Sequence, residues 1–87
     1  ETGCMSVEGS PAVPNNWEDE GDIDLDGQAE WFEDMLTACR KRDWVEGVCI
    51  WSWTADLYSV ADVNRQKNYE TYAKPAEKVI RKYYEAQ

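Results

Sequence analysis

The sequence predicts an α/β fold that is one piece of a larger domain, and three observations predict it. Residues 48–53 (Val-Cys-Ile-Trp-Ser-Trp) are apolar on both faces apart from Ser52 and rich in β-branched and aromatic side chains. That is the pattern of a buried parallel strand rather than a half-exposed antiparallel one. An amphipathic helix is predicted on either side of it in the chain. Finally, 87 residues offer one good strand where a sheet buried on both faces needs several. The chain therefore reads as a fragment of an α/β domain, or as a half-domain completed by another chain. The alternative is an autonomous small α+β fold with a hairpin in residues 1–14.

Taken in order, residues 1–26 are irregular: Gly3, Gly9, Pro11, Pro14, Asn15, Asn16 and Gly21 precede an acidic run ending at Asp26. A helix is predicted over 27–42. Gln28, Trp31, Phe32, Met35, Leu36 and Cys39 share one face of a 3.6-residue period, acids crowd its start, and Arg40-Lys41-Arg42 closes it, matching the helix dipole. A link of two or three residues around Asp43 leads into the strand. A connection of about twenty residues, 55–74, follows, and connections that long in compact domains usually carry function. The last helix is predicted over 75–86, with Pro75 at its first position and Ala76, Val79, Ile80 and Tyr83 on one face. If Glu1 ends a strand, residues 2–26 form a second long loop on the same, working face of the sheet.

Eighteen acids stand against nine bases, with no His, for a net charge of −9. This argues against nucleic acid and against an anionic membrane surface as partners, since both require clustered Lys and Arg. The acids are concentrated early: residues 1–39 hold eleven acids and no base, and residues 40–87 hold all nine bases. No apolar run reaches a membrane-spanning length, and no secretory leader is visible. Without His, a Ser-His-Asp or Cys-His catalytic set within the chain is excluded and a structural zinc site is disfavoured. Three Cys in three separate segments (Cys4, Cys39, Cys49) argue for reduced thiols and, slightly, for the cytoplasm.

Four groups of residues carry candidate chemistry. Asp22, Asp24, Asp26, Gly27 and Glu33 match an EF-hand calcium loop in spacing. Against it, Ala29 stands where a large aliphatic residue belongs, and the preceding Gly and Pro residues deny the incoming helix; a solvated acidic helix start is the plainer reading. Trp51 and Trp53 share parity and point to one side of the strand. There they are either core residues or indole platforms for the C–H face of a sugar. Glu1 is the one early residue able to act as acid, base or nucleophile. Tyr58, Tyr69 and Tyr72, in or beside the second long connection, contact a ligand or pack the loop.

Glu1-Thr2-Gly3-Cys4-Met5-Ser6, Gln28-Ala29 opening a helix, Trp44-Val45-Glu46-Gly47, Val48-Cys49-Ile50-Trp51-Ser52-Trp53, Lys74-Pro75-Ala76 and Tyr83-Tyr84 follow one another in an order and spacing that resemble the C-terminal part of a clan A glycoside hydrolase, most closely glycoside hydrolase family 113, the β-mannanases. The resemblance implies a (β/α)8 TIM barrel, of which this chain is the end of strand 7, helix 7, strand 8 and helix 8. It implies a retaining mechanism, with Glu1 as nucleophile and Trp51 or Trp53 lining the adjoining sugar subsite, a carbohydrate substrate and no cofactor. Cys4 departs from the family pattern, which places an aromatic residue there. The acid/base carboxyl is expected on strand 4, outside this chain, so the isolated 87-residue chain is expected to be inactive and to need the remainder of the barrel as its partner. The competing expectation, from a different class, is an acidic calcium-linked interaction module without catalysis.

Overall fold

A computed structural model describes residues 1–53 and 58–85. The first helix, α1, spans Leu25–Arg40. Asp24 caps it: the carboxylate accepts from Gly27 N at 2.9 Å. The prediction of 27–42 was late by two residues at each end because Asp24, not Asp26, takes the cap, while Asp26 sits in the first turn and Arg40 in the last. Gln28, Phe32 and Leu36, spaced by four, form its buried line.

The second helix, α2, spans Pro75–Glu85, starting at the predicted proline; the predicted end at Ala86 lies outside the described residues. Ahead of it Ala73, at a positive φ of 61°, donates its N–H to the Glu77 carboxylate at 2.5 Å. This holds an otherwise orphaned donor at the helix start. Ala76 is fully buried, and Val79, Ile80 and Tyr83 are half-buried. The helices pack side by side, with Leu36 facing Val79 and Tyr83 across a groove. The Arg40 guanidinium lies 4.5 Å over the Tyr83 ring and donates to the Tyr83 carbonyl at 2.7 Å, and Lys82 pairs with Glu33 at 3.3 Å. Exposed pairs of this kind contribute a few tenths of a kcal/mol. Burial of Phe32 and Leu36, about 1.5–3 kcal/mol each, contributes more.

Residues 48–53 do not form the regular strand that was predicted, and no regular strand occurs among the described residues. The segment makes one parallel bridge, Thr2 to Ile50, closed by Thr2 N–H to Cys49 O (2.9 Å) and Trp51 N–H to Thr2 O (2.7 Å). The parallel sense agrees with the sequence reading; the burial does not. Val48 and Ile50 are half-buried, while Cys49, Trp51 and Trp53 are exposed. The chain bends at Trp51, and the Trp51–Ser52 peptide is cis. A strand's two-sided burial comes from flanking strands and covering helices, and one bridge cannot supply it.

The hairpin alternative for residues 1–14 is not adopted. Val7 bridges antiparallel to Ile23, and Ser10–Ala12 form a 3₁₀ turn entered through Gly9 at φ 88°, a conformation that favours glycine. The second long connection is partly ordered by a 3₁₀ helix at Val60–Arg65, capped by Ser59. The interior mixes apolar Cys4, Met5, Val7, Phe32, Leu36 and Ala76 with polar Ser6, Ser10, Gln28, Thr71 and Lys74. Cys4, Cys39 and Cys49 are free thiols. No helix among the described residues is long and apolar enough to cross a membrane.

Candidate active site

At the end of the parallel bridge lies an open cleft of about 430 Å³. Glu1, Thr2 and Gly3 form one wall and Trp51 the next, with Trp31 from α1, Pro14, Asn15 and Trp17 from the first loop, and Tyr69 from the second completing it. The bridge sets Thr2 against Trp51 and so fixes Glu1 within reach of the same opening as the Trp51 indole. Gly3 is required by this approach: a methyl group on its Cα would overlap the Trp51 carbonyl oxygen, backbone against backbone. Tyr69 joins the two loops, its hydroxyl donating to Pro14 O at 2.7 Å. Burial, with the Cys4 thiol nearby, pushes the Tyr69 phenol above its ordinary pKa.

Trp53 is not part of this cleft. Its ring stands edge-on to Tyr72 at 6.0 Å, Tyr72 does the same to Tyr58 at 5.4 Å, and the Tyr58 hydroxyl donates to Tyr72 O. Burial, with Glu70, Glu77 and Tyr72 nearby, pushes the Tyr58 phenol up to about 12. Trp53 thus stands apart from Trp51 because the chain bends at Trp51 and a regular strand alternation does not run through it. Of the three tyrosines, Tyr69 reaches the cleft, while Tyr58 and Tyr72 pack against one another.

The acidic run that matches a calcium loop in spacing meets the start of α1. A twelve-residue calcium loop must curl around the ion. Here the helix begins at Leu25, so Asp26 and Glu33 stand about 10 Å apart along a rigid axis. Asp24 is engaged as the cap and Glu33 with Lys82. Among the described residues no group of three His, Cys, Asp or Glu could hold a metal ion.

Beneath the cleft, side chains rather than sheet bonds join the two loops. Lys74, 1% exposed, donates to Ser6 Oγ (2.9 Å), Asn68 O (3.1 Å) and Gln66 Oε1 (3.3 Å). Ser6 Oγ in turn donates to Gln66 O at 2.7 Å. Gln28 Nε2 reaches Cys4 O (3.0 Å), Tyr69 O (3.3 Å) and Glu70 O (3.4 Å). Burial lowers the Lys74 ammonium to about 8, against an opposing pull from Glu70 and Cys4. Burial raises the Cys4 thiol to about 12, offset in part by Lys74.

A carboxylate set among indole faces suits a sugar ring, and the comparisons fix the class. Similar solved structures are glycoside hydrolases of the TIM-barrel type. Two structures of glycoside hydrolase family 113 β-1,4-mannanase, one of them a complex, are each 39% identical with a TM-score of 0.94. The family 113 β-mannanase of Alicyclobacillus acidocaldarius, in complex with ManMIm, is 34% identical with a TM-score of 0.86. Each match covers 98% of this chain and 28% of the other. The model of Glycoside Hydrolase Family 113 matches residues 1–74, and the chain belongs to that family. No curated protein matches it.

Trp17 and Trp31 are cleft residues that sequence reasoning missed. Trp31 fell on the apolar helix face and counted as core; Trp17 lay in a segment without periodicity. The one available signal was an unpaired Trp directly after a Pro-Asn-Asn turn.

Proposed function

We propose that this chain forms one side of the active site of a retaining glycoside hydrolase acting on β-linked, mannan-like polysaccharide or oligosaccharide. On this reading it is the end of strand 7, helix 7, strand 8 and helix 8 of the barrel, and the remaining strands come from polypeptide outside these 87 residues. The observation that carries the proposal is that Glu1 and Trp51 line one cleft, brought there by the Thr2–Ile50 bridge.

The chemistry follows from the placement. A Glu1 oxygen attacks the anomeric carbon, forming an ester bond as the glycosidic C–O bond breaks. The departing oxygen takes a proton from a second carboxyl group, which lies outside this chain, about 5–5.5 Å across the cleft in a retaining enzyme. Water, deprotonated by that same group, then attacks the anomeric carbon and frees Glu1. The Trp51 indole offers a flat apolar face to the ring and a negative quadrupole to the positive charge that develops on it. Because proton donation requires the absent carboxyl, the 87-residue chain alone is inactive; hydrolysis of mannan by the pure chain would contradict this.

The test is covalent trapping in the full-length protein. A 2-deoxy-2-fluoro-β-mannosyl fluoride reacts in the first step and stalls in the second. Mass spectrometry of the digest is expected to place the label on Glu1. A label on another carboxylate would remove Glu1 from the role, and release of product with inverted anomeric configuration would remove the covalent mechanism.

A further inference from the structure

We propose that Lys74 and Gln28 are positioning residues for the cleft, a seam of side-chain donors that holds the segment after Glu1 against the loop carrying Tyr69; this rests on the reading of Glu1 as the nucleophile.

The argument begins with the location of Lys74. It immediately precedes Pro75, at the N-terminus of α2, where the helix dipole disfavours a positive charge. It is also almost fully buried, and a buried ammonium is costly unless its donors are used. All three are used, and their acceptors belong to two separate loops: Ser6 on one side, Gln66 and Asn68 on the other. A neutral residue would suit the local helix start better. The lysine makes physical sense as a three-pronged donor that gathers these acceptors at one point.

Gln28 continues the seam. Its amide nitrogen lies between the carbonyls of Cys4, Tyr69 and Glu70, while its Oε1 has no hydrogen-bond partner. The donor end is therefore the working end. Backbone bonds from Ser6 N to Lys67 O (3.2 Å) and Asn68 O (3.3 Å) follow the same line. Glu1 is three residues from Cys4, and Tyr69 both lines the cleft and accepts from Ser52 N at 3.4 Å. The seam thus fixes the floor from which both the carboxylate and the Trp51 segment rise. Neither Lys74 nor Gln28 lines the cleft, so they act through the residues they hold.

The experiment uses the full-length protein with K74M, Q28M and the double variant, in two readouts. In steady-state hydrolysis of a β-mannooligosaccharide, each single variant is expected to lower kcat by ~10²-fold, the cost of about 1 Å of misplacement, with KM within about threefold of the parent. The double variant falls little further, because both act on one seam. In amide hydrogen exchange, Ser6 and Trp51 are expected to exchange at least ~10-fold faster while the interior of α1 is unchanged. A folded K74M and Q28M with parental kcat overturn the proposal, as does uniform loss of protection across α1 and α2, which marks a general scaffold role. If K74M does not fold, Q28M decides. If the parent hydrolyses no β-mannan, the hydrolase reading fails, and the exchange pattern still decides whether the seam exists.

Discussion

The cleft and the seam beneath it lie a few residues apart and are built on opposite principles. The cleft is exposed: Trp17 is 71% and Trp51 53% accessible, and Glu1 is open to solvent. Glu1, Trp17 and Trp51 are positioned mainly by the backbone that carries them. The seam is dry, and Ser6, Gln28 and Lys74 are all but fully buried with their donors engaged. The difference teaches where order comes from in a chain whose sheet is reduced to single bridges. Among the described residues the bridges are Thr2 to Ile50 and Val7 to Ile23; buried side-chain donors, with a few further backbone bonds such as Ser6 N–H to Lys67 O, join the loops, and this frees the cleft side chains to face a ligand.

Substitutions on the two sides should therefore differ in kind. The largest effect is expected for Glu1→Gln in the full-length protein: kcat/KM falls by ~10⁴-fold with no change in the unfolding midpoint, since Glu1 is exposed and supports nothing. A parallel loss of stability would erase the contrast. Gly3→Ala tests the joint between the regions. Its methyl must displace the Trp51 carbonyl, and a stability loss of about 2 kcal/mol together with loss of activity is expected; chemical denaturation and hydrolysis rates measure both.

Trp51→Ala and Trp53→Ala separate the two indoles that sequence placed on one side. Trp51→Ala should cost ~10-fold in kcat/KM, the worth of one aromatic face. Trp53→Ala, edge-on to Tyr72 outside the cleft, should cost less than about threefold and appear in stability instead. Equal kinetic effects would restore the strand alternation.

The smallest effect concerns the seam's charge. The folded Lys74 ammonium titrates near 8 against 10.5 unfolded, so between those values the unfolded chain holds the extra proton and stability rises with pH. Cys4 works the other way: at about 12 against 9, the folded chain keeps the proton longer and stability falls above pH 9. These two groups together give a rise of about 1 kcal/mol from pH 8 to 9, near balance up to 10.5, and a decline beyond. The stability curve of K74M should lack the rise; if it keeps it, another group is responsible.

The helices were legible in the chain because their information is local. Alternation by three and four gave the buried faces, Pro75 gave a start, and the two-residue offset at α1 arises because the crowd of acids at its start does not say which one caps it. The strand's burial was not legible in the same way, because it depends on neighbouring strands rather than on its own residues, and within these 87 residues Trp53 lies outside the cleft that Trp51 lines. Trp17 and the seam were not legible. Ser6 and Lys74 are 68 residues apart, and no periodicity links a serine after a glycine turn to a lysine before a helix.

By itself, then, the order of residues determined the two helices, the parallel sense of the Thr2–Ile50 pairing, the family resemblance and the lack of any histidine within these 87 residues. These rest on short-range periodicity, capping and composition. The tertiary structure alone decided which indoles share the cleft with Glu1, that Asp24 is the acid that caps α1, and that a buried lysine binds two loops together. Those outcomes depend on groups distant in sequence meeting where water is excluded, and there the requirement to satisfy every donor outweighs any local preference.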